Sequence, residues 1–351
     1  NFHGLSFQDQ LCILSSSLFS RQKTGRFSLN RYIMDNSIRT IPVLSIPSRG
    51  SVFIIAEIGK NFIQTREDKP WREYLENAKQ LVKAAKEAGA DAVKFQTHNV
   101  EDEQMNLSVV SPHFTSADRY SWVKRNTLST PPEFWREIKN FCDKQEILFF
   151  STPMSRGAAK ILDDIGVPFW KVSSADILDF VMLDYLAAAR KPVILSSGMS
   201  TAEEIDKAVQ FLRERDVPVM LMHCVSKYPC PPEDLNLETI TFLREKYDIP
   251  VGFSDHSLGH KEAWAAVGLG AVAIEKHLSL SRDLWGADHK VSLTPPEFKA
   301  LVEGIRSKKN PEMAARGRKM KILHEDERAL RGIFRKSLVC ARFLKAGEKI
   351  T

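Results

Sequence analysis

From residue 51 onward, short runs of apolar and β-branched residues alternate with longer segments whose apolar residues recur every three or four positions. The short runs have the length of buried strands, and the longer segments, such as YLENAKQLVKAAKEAGA and AEEIDKAVQFLRER, have the period of amphipathic helices. The eight predicted strands are VFIIAE (52–57), DAVKFQ (91–96), ILFFST (147–152), FWKVSS (169–174), PVILSS (192–197), VPVMLMHC (217–224), IPVGFSD (249–255) and AVAIEKH (271–277).

Alternating strands and helices require parallel strands joined by right-handed crossovers. Eight such units over about 250 residues predict an α/β fold with a closed (β/α)8 TIM barrel, assigned to residues 51–307. An open doubly wound sheet is the alternative, because the number of strands does not prove closure. Residues 1–50 show no sustained period, and we predict that they form a flexible N-terminal extension.

Polar residues stand at the C-terminal end of each predicted strand, and nothing comparable marks the strand starts. In a barrel all eight ends meet at one mouth, where barrel enzymes hold their active sites. Any one of these residues has a structural explanation as a helix cap, an ion pair or a buried histidine, but eight together favour a site. They are Glu57, Lys94, Gln96, Ser151, Thr152, Lys171, Ser173, Ser174, Ser196, Ser197, His223, Ser254, Asp255, His256, Glu275 and His277.

These side chains suit an anionic substrate and a divalent metal. Lys94 and Lys171 offer cations for a phosphate or carboxylate, and Thr152, Ser174 and Ser254 add hydroxyl donors. His256 and His277, on consecutive strands, can supply two imidazoles to one metal ion, with a purely structural pair as the alternative. Glu275 stands beside them and can act as a base or bind a sugar hydroxyl.

Composition narrows the class of protein. Across 351 residues no apolar run approaches the roughly 20 that a membrane helix needs, so we predict no membrane span. The five cysteines are odd in number and form no CxxC pair, which favours a reducing, cytoplasmic setting. The net charge of +6 arises at the ends: residues 1–50 carry six Lys/Arg against two Asp/Glu and residues 306–351 fourteen against five. The part of the chain between these two basic ends is therefore acidic overall, which argues against a nucleic-acid-binding surface on it.

The strand ends lie in a series of motifs: IIAEIGKN, GADAVKFQT, FFSTPMS, KVSSAD, ILSSGMST, HCVSKYPCPPEDLNL, GFSDHSLG, IEKHLSL and GADHKVSLTPPEF. In order and spacing they resemble the sialic acid synthase (N-acetylneuraminate synthase) family from about residue 51 to 307. RKSLVCARFLKAGEKIT resembles the opening of that family's C-terminal antifreeze-like (SAF) domain. We therefore predict a linker at 308–331 and the incomplete start of an SAF domain at 332–351.

The resemblance implies a barrel enzyme, a homodimer when its C-terminal domain is complete, that uses Mn²⁺ or Mg²⁺. It condenses phosphoenolpyruvate with N-acetylmannosamine, its 6-phosphate or a related amino sugar, giving a nine-carbon 2-keto acid and phosphate. The implied roles are metal binding by His256 and His277, phosphoenolpyruvate binding by Lys94, Thr152, Lys171, Ser174, Ser226 and Ser254, sugar binding by Gln96, Asp176, Tyr228 and Asp288, and catalysis by Glu57 and Glu275.

The chain departs from the family pattern at several points. Phe62 stands where members commonly have His, and Asp176 where some have Glu. The SAF domain, which in the family supplies an Arg to the partner's sugar site, is represented only by its opening. The long segment between the second strand and its helix is predicted to cover the sugar. Two alternatives stay open: a class I aldolase with Lys94 or Lys171 as Schiff-base nucleophile, and a non-catalytic sugar-binding descendant.

Overall fold

The computed structural model describes residues 52–110, 118–309, 316–337, 339–340 and 342–349, all within one compact unit that spans residues 40–351. The extension predicted at residues 1–50 lies outside the described residues. Among those described, no helix has the length and apolarity to cross a membrane.

Eight parallel strands form the centre of this unit. They are β1 (Phe53–Gly59), β2 (Ala92–Thr97), β3 (Leu148–Pro153), β4 (Trp170–Val172), β5 (Val193–Ser196), β6 (Val219–Cys224), β7 (Val251–Asp255) and β8 (Ala273–His277). Along the sheet the order is β3, β2, β1, β8, β7, β6, β5, β4. Contacts between β3 and β4 bring the two edges together into a nearly closed barrel. The predicted TIM barrel is confirmed.

Helices cover the outside of the barrel. They are α1 (Trp71–Glu87), α2 (Val100–Glu103), α3 (Arg119–Ser129), α4 (Pro132–Lys144), α5 (Arg156–Asp164), α6 (Phe180–Ala188), α7 (Ala202–Arg213), α8 (Thr239–Tyr247), α9 (Lys261–Gly268), α10 (Pro295–Arg306) and α11 (Glu325–Phe334). In α1 the buried residues include Leu75, Ala78 and Val82, spaced three and four apart, which is the stripe that the amphipathic pattern predicts.

An aromatic cluster packs between the barrel and its helices. The ring of Phe62 lies 5.1 Å from that of Phe134 and 6.0 Å from that of Phe95, measured between centroids. Phe62 is completely buried. The phenylalanine that departs from the family pattern is therefore a core residue, and its apolar ring fits this surrounding.

The barrel interior consists of an apolar layer with a polar layer above it. Side chains two positions apart on a strand share a face, so the buried apolar residue of each pair lies below the polar one. Ile55 is followed by Glu57, and Ala273 by Glu275. The apolar layer comprises Phe53, Ile55, Ala92, Phe150, Phe169, Ile194, Met220, Met222 and Ala273. This apolar layer fills the barrel interior below the polar strand ends, which lie together at one mouth.

The segment after the barrel, residues 316–337, is called the strap here. It is tied to the loops of the mouth, for example by Arg316 with Glu238 (Nε to Oε1, 2.6 Å) and by Asn236 with the carbonyl of Met320 (2.8 Å). Its helix α11 extends beyond residue 331, where we predicted a linker to end. Within the predicted linker at 308–331, the described residues 316–331 make side-chain contacts with distant barrel loops and include the start of α11.

Candidate active site

A cavity of about 220 Å³ opens at the mouth of the barrel, among the C-terminal ends of the strands. It is lined by almost all of the residues that the sequence predicted for a site: Glu57, Lys94, Gln96, Thr152, Lys171, Ser174, Ser226, Tyr228, Ser254, His256, Glu275, His277 and Asp288. Residues up to 231 positions apart in the chain thus meet in one chamber.

Asp176 is the exception. It is buried, but it does not line the cavity. Its carboxylate accepts a hydrogen bond from Ser173 Oγ (2.7 Å) and lies 2.9 Å from Lys336 Nζ in the strap. The prediction that Asp176 contacts the sugar is therefore not supported by its position, because its carboxylate pairs with Lys336 instead.

Two lysines and two glutamates form a buried charge network across the cavity floor. Lys94 Nζ lies 2.8 Å from Glu57 Oε2 and 3.6 Å from Glu275 Oε1. Lys171 Nζ lies 4.0 Å from Glu275 Oε2 and donates to Ser196 Oγ. All four charged side chains are at least nine-tenths buried. Buried charges are stable only when paired, so these lysines and carboxylates depend on each other until an anion enters.

The network separates the pKa values of its two carboxyl groups. Burial raises the pKa of Glu57 to about 7, against the opposing effect of Lys94. Burial acts in the same direction on Glu275, but Lys171 and Lys94 outweigh it and lower the pKa of Glu275 to about 2. Near neutral pH Glu275 is therefore a fixed carboxylate, whereas Glu57 can exchange a proton, the property required of a general acid or base.

Two serine hydroxyls meet around Gly198, in the loop after β5. Gly198 N donates to Ser174 Oγ at 3.1 Å. A β-carbon on residue 198 would lie 2.4 Å from Ser226 Oγ and 2.6 Å from Ser174 Oγ, so a larger residue cannot occupy this position without displacing them. The cluster places two hydroxyl donors beside the lysines, a suitable arrangement for a phosphate or carboxylate.

The two histidines stand side by side, with ring centroids 5.6 Å apart. Nδ1 of His256 lies 2.9 Å from the carbonyl oxygen of Val225, so this nitrogen is the donor and Nε2 is left as a ligand atom. Nδ1 of His277 is buried without a hydrogen-bond partner among the described residues. Neighbouring imidazoles with uncommitted nitrogens fit a divalent metal.

Within the described parts of the chain, no group of three or more His, Cys, Asp or Glu residues is arranged to hold a metal ion. A metal held by these two histidines would complete its coordination with water or substrate oxygens, which is the open arrangement typical of catalytic sites.

The first strand loop and the long segment after β2 also contribute to the lining of the cavity. Lys60 donates to the carbonyl of Gln96 at 2.6 Å, and burial lowers the pKa of Lys60 to about 7. Glu103 binds Nδ1 of His98 at 2.8 Å. This segment also contributes Arg119, Trp122, Val123, Arg125 and Asn126 to the lining. The described residues of this segment line the cavity, and its role as a cover for the sugar stays a prediction.

Sequence reasoning missed several lining residues. Lys60 lies within the IIAEIGKN motif and could have been found there, because a lysine directly after a buried strand is unusual. Leu330 and Phe334 of α11 also line the cavity. They stand in a charged amphipathic helix far from the barrel strands in sequence, and no pattern in the chain connects them with the mouth.

A (β/α)8 barrel with buried charged groups at the C-terminal ends of its strands has the architecture of a barrel enzyme. The chain belongs to the NeuB family, whose model matches residues 81–316. Relatives of this chain are named N-acetylneuraminate-9-phosphate synthase and pseudaminic acid synthase, so the predicted kinship with sialic acid synthases is confirmed.

Relatives make different sugar acids. N-acetylneuraminate-9-phosphate synthase of Homo sapiens is 34% identical over 260 residues, covering 72% of this chain and 69% of the human protein. Pseudaminic acid synthase of Campylobacter jejuni is 34% identical over 305 residues, 85% of this chain and 84% of that protein. An uncharacterized protein of Methanocaldococcus jannaschii is 37% identical over 300 residues, 85% and 82% of the two chains.

Among solved structures, the N-acetylneuraminic acid synthetase of Leptospira borgpetersenii in complex with citrate superposes with a TM-score of 0.64 and is 34% identical. The match covers 74% of this chain and 84% of that chain. The fold found here is therefore also that of a sialic acid synthetase.

Proposed function

We propose that this protein condenses phosphoenolpyruvate with an N-acetylated amino sugar, giving a nine-carbon 2-keto acid and inorganic phosphate. The sugar is N-acetylmannosamine or a close relative, free or as its 6-phosphate. The observation that carries the proposal is the single cavity that joins a lysine and hydroxyl cluster to a histidine pair and an ionisable glutamate. Family membership supports the same conclusion.

Phosphoenolpyruvate would bind in the part of the cavity that contains Lys94 and Lys171. Its phosphate and carboxylate groups would form ion pairs with the two lysine ammonium groups. Thr152, which accepts a hydrogen bond from Lys94 Nζ at 3.2 Å, and Ser254, which donates to Glu275 at 3.0 Å, keep the surrounding polar groups in fixed directions. Such pre-organised donors stabilise a triply charged substrate without reorganisation during the reaction.

The sugar would lie towards Gln96, Tyr228 and Asp288. Gln96 Nε2 donates to Glu57 Oε1 at 3.0 Å, so its amide is oriented before the sugar arrives. The Tyr228 ring lies 4.0 Å from that of His256, between centroids, in a tilted arrangement, and Tyr228 is partly exposed. These groups would hold an open-chain sugar against the histidine pair, with its aldehyde near the phosphoenolpyruvate.

His256 and His277 would hold Mn²⁺ or Mg²⁺. When bound there, the ion supplies Lewis-acid polarisation of the sugar carbonyl. Both imidazoles come from the ends of rigid strands, β7 and β8, whose pairing fixes their separation.

The bond changes balance as follows. C3 of phosphoenolpyruvate forms a bond with the sugar aldehyde carbon, and the aldehyde oxygen takes up a proton to become a hydroxyl. Water adds to C2 and loses one proton; the bond between C2 and the phosphate oxygen then breaks while the remaining hydroxyl proton passes to the departing phosphate, which releases phosphate and leaves the 2-keto acid. Glu57, with its pKa near 7, is the group we assign to hold the water and accept its proton. Glu275 stays ionised and balances the charge of both lysines.

We further propose that the protein acts in a reducing, cytoplasmic setting and, as the family resemblance implies, forms a homodimer when its C-terminal domain is complete. The cysteines Cys142, Cys224, Cys230 and Cys340 are free in the structure, and three of them are buried. Free buried thiols suit a compartment that keeps cysteines reduced.

The direct test is phosphate release from phosphoenolpyruvate in the presence of a panel of N-acetylated hexosamines and their 6-phosphates, with added Mn²⁺ or after chelation. We expect release that requires both a sugar and a divalent ion. Release that survives chelation, together with borohydride trapping of a covalent adduct, would instead favour a class I aldolase using Lys94 or Lys171. Sugar binding without any phosphate release would indicate a non-catalytic descendant.

A further inference from the structure

The strap carries one fully buried carboxylate, that of Glu327, which contacts two loops of the barrel mouth. Glu327 has no exposed surface, although it belongs to a segment that is otherwise largely polar and accessible. Its Oε1 atom accepts two backbone hydrogen bonds, from Met199 N at 2.8 Å and from Ser226 N at 2.9 Å. Met199 lies in the loop after β5 and Ser226 in the loop after β6. One oxygen atom therefore joins two loops of the site to the strap.

The peptide at Met199 needs this support. Its φ angle of +51° is left-handed, a conformation that is unfavourable for a methionine and persists only where the surroundings enforce it. The strap binds both sides of this residue, because Glu327 accepts from its N–H and Arg335 donates to its carbonyl at 2.7 Å. The strained backbone is thus held in place by side chains of the strap.

The two loops carry the hydroxyl cluster of the proposed anion subsite. Gly198 precedes Met199 directly and donates to Ser174 Oγ, and Ser226 Oγ lies against the same glycine. A small rotation of the peptide at Met199 would move Gly198 and change the separation of the two hydroxyls. Glu327 itself does not line the cavity, so any effect on a ligand must be transmitted through these loops.

We propose that Glu327 is a positioning residue for the phosphoenolpyruvate subsite: by holding the amides of Met199 and Ser226, it sets the spacing of the Ser174 and Ser226 hydroxyls. This inference rests on the function proposed above. A positioning role predicts a selective effect on one substrate, whereas a role confined to stabilising the strap predicts a general loss.

Four variants separate these roles in the full chain. Glu327→Ala removes the acceptor, Glu327→Asp withdraws it by one methylene, and Glu327→Gln retains one acceptor oxygen that can serve both amides. Asp326→Ala is the matched control, because this neighbour on α11 also anchors the strap, through Lys227 Nζ at 2.8 Å, but contacts neither loop amide.

In steady-state kinetics we expect Glu327→Ala and Glu327→Asp to raise the KM for phosphoenolpyruvate by about tenfold or more, equivalent to about 1.4 kcal/mol, with less than a twofold change in the KM for the sugar. Glu327→Gln should stay within about threefold of the parent, and Asp326→Ala should match it. Equal loss for both substrates, or the same loss in Asp326→Ala, overturns the proposal. If Glu327→Ala does not fold, Glu327→Asp decides.

Hydrogen exchange distinguishes failure of this inference from failure of the proposed function. If the parent neither binds nor consumes phosphoenolpyruvate, the proposed function fails, and the positioning role is judged on exchange alone. We expect peptides that contain Met199 and Ser226 to exchange at least about tenfold faster in Glu327→Ala than in the parent, with Glu327→Gln close to the parent. Unchanged exchange in both peptides overturns the positioning role.

Discussion

Replacing Lys276 by methionine removes one partner of a fully buried ion pair beside the histidines. Lys276 Nζ lies 2.8 Å from Asp255 Oδ2, and neither side chain has exposed surface. The ammonium also donates to the carbonyl of Ser257, whose own N–H donates to Asp255. Asp255 and Lys276 are register partners on β7 and β8, and each immediately precedes a histidine of the site, His256 or His277.

The variant leaves Asp255 buried without its counter-charge, which typically costs about 3–5 kcal/mol. For a barrel domain of this size, that loss lowers Tm by roughly 6–20 °C. Because the pair also fixes the two strand ends against each other, we expect Mn²⁺ affinity to fall by about 10–100-fold, the range seen when supporting groups around a metal site are removed. Thermal denaturation followed by circular dichroism and Mn²⁺ calorimetry measure the two effects.

Arg306→Met is the control. It breaks a half-exposed pair with Asp91, which precedes β2 at the opposite end of the barrel, where Arg306 Nη2 lies 2.7 Å from the carboxylate. This variant should lose about 1 kcal/mol or less of stability and keep its Mn²⁺ affinity. The reasoning is refuted if Lys276→Met melts within about 2 °C of the parent, or if Arg306→Met weakens Mn²⁺ binding as much.

Three further predictions concern single groups of the site. His256→Ala or His277→Ala should weaken Mn²⁺ binding by more than the roughly 100-fold limit of outer-shell changes and leave the barrel folded, and parent-like Mn²⁺ calorimetry in both variants would contradict the metal assignment. Lys94→Met or Lys171→Met should raise the KM for phosphoenolpyruvate by about ten- to a hundredfold and the KM for the sugar little, so equal losses for both substrates count against the anion site. Burial lowers the pKa of Lys60 to about 7, below its unfolded value of about 10.4. Between these values the folded chain binds fewer protons, so parent stability should rise with pH relative to Lys60→Met, by up to about 1.4 kcal/mol per unit. The free energies of unfolding of the parent and of Lys60→Met are measured in urea from pH 7 to 9. If their difference does not change with pH, the pKa of Lys60 is not lowered.

The strand ends were predictable because two local rules coincide there. Alternation along a strand places Lys94 above Ala92 and Glu275 above Ala273, and parallel strands bring all such ends to one mouth. Neither rule depends on contacts distant in sequence. Thirteen of the fourteen predicted site residues line the cavity; ten of them stand at predicted strand ends, whereas Ser226, Tyr228 and Asp288 were assigned from the family resemblance.

Contacts of the strap were not predictable in the same way. Asp176 was assigned to the sugar by the family resemblance, but Lys336, 160 positions later, lies 2.9 Å from its carboxylate. Glu327 is one of three consecutive acidic residues in a helix whose sequence pattern predicts exposure to solvent. Only its contacts with the amides of Met199 and Ser226 distinguish it from the two acidic residues before it. Pairings of this kind depend on the path that the strap takes across the barrel. The hydrophobic and polar periodicity of the sequence does not predict this path.

The identity of the product tests the central proposal most directly. Purified protein is incubated with phosphoenolpyruvate, N-acetylmannosamine or its 6-phosphate, and Mn²⁺, and the mixture is analysed by mass spectrometry together with a phosphate assay. The account predicts a nine-carbon 2-keto acid formed in equal amount to the phosphate released, and a lower rate of product formation by Lys171→Met when phosphoenolpyruvate is at or below the parent KM. Phosphate release without a new carbon–carbon bond, or no reaction with any N-acetylated hexosamine, would contradict it.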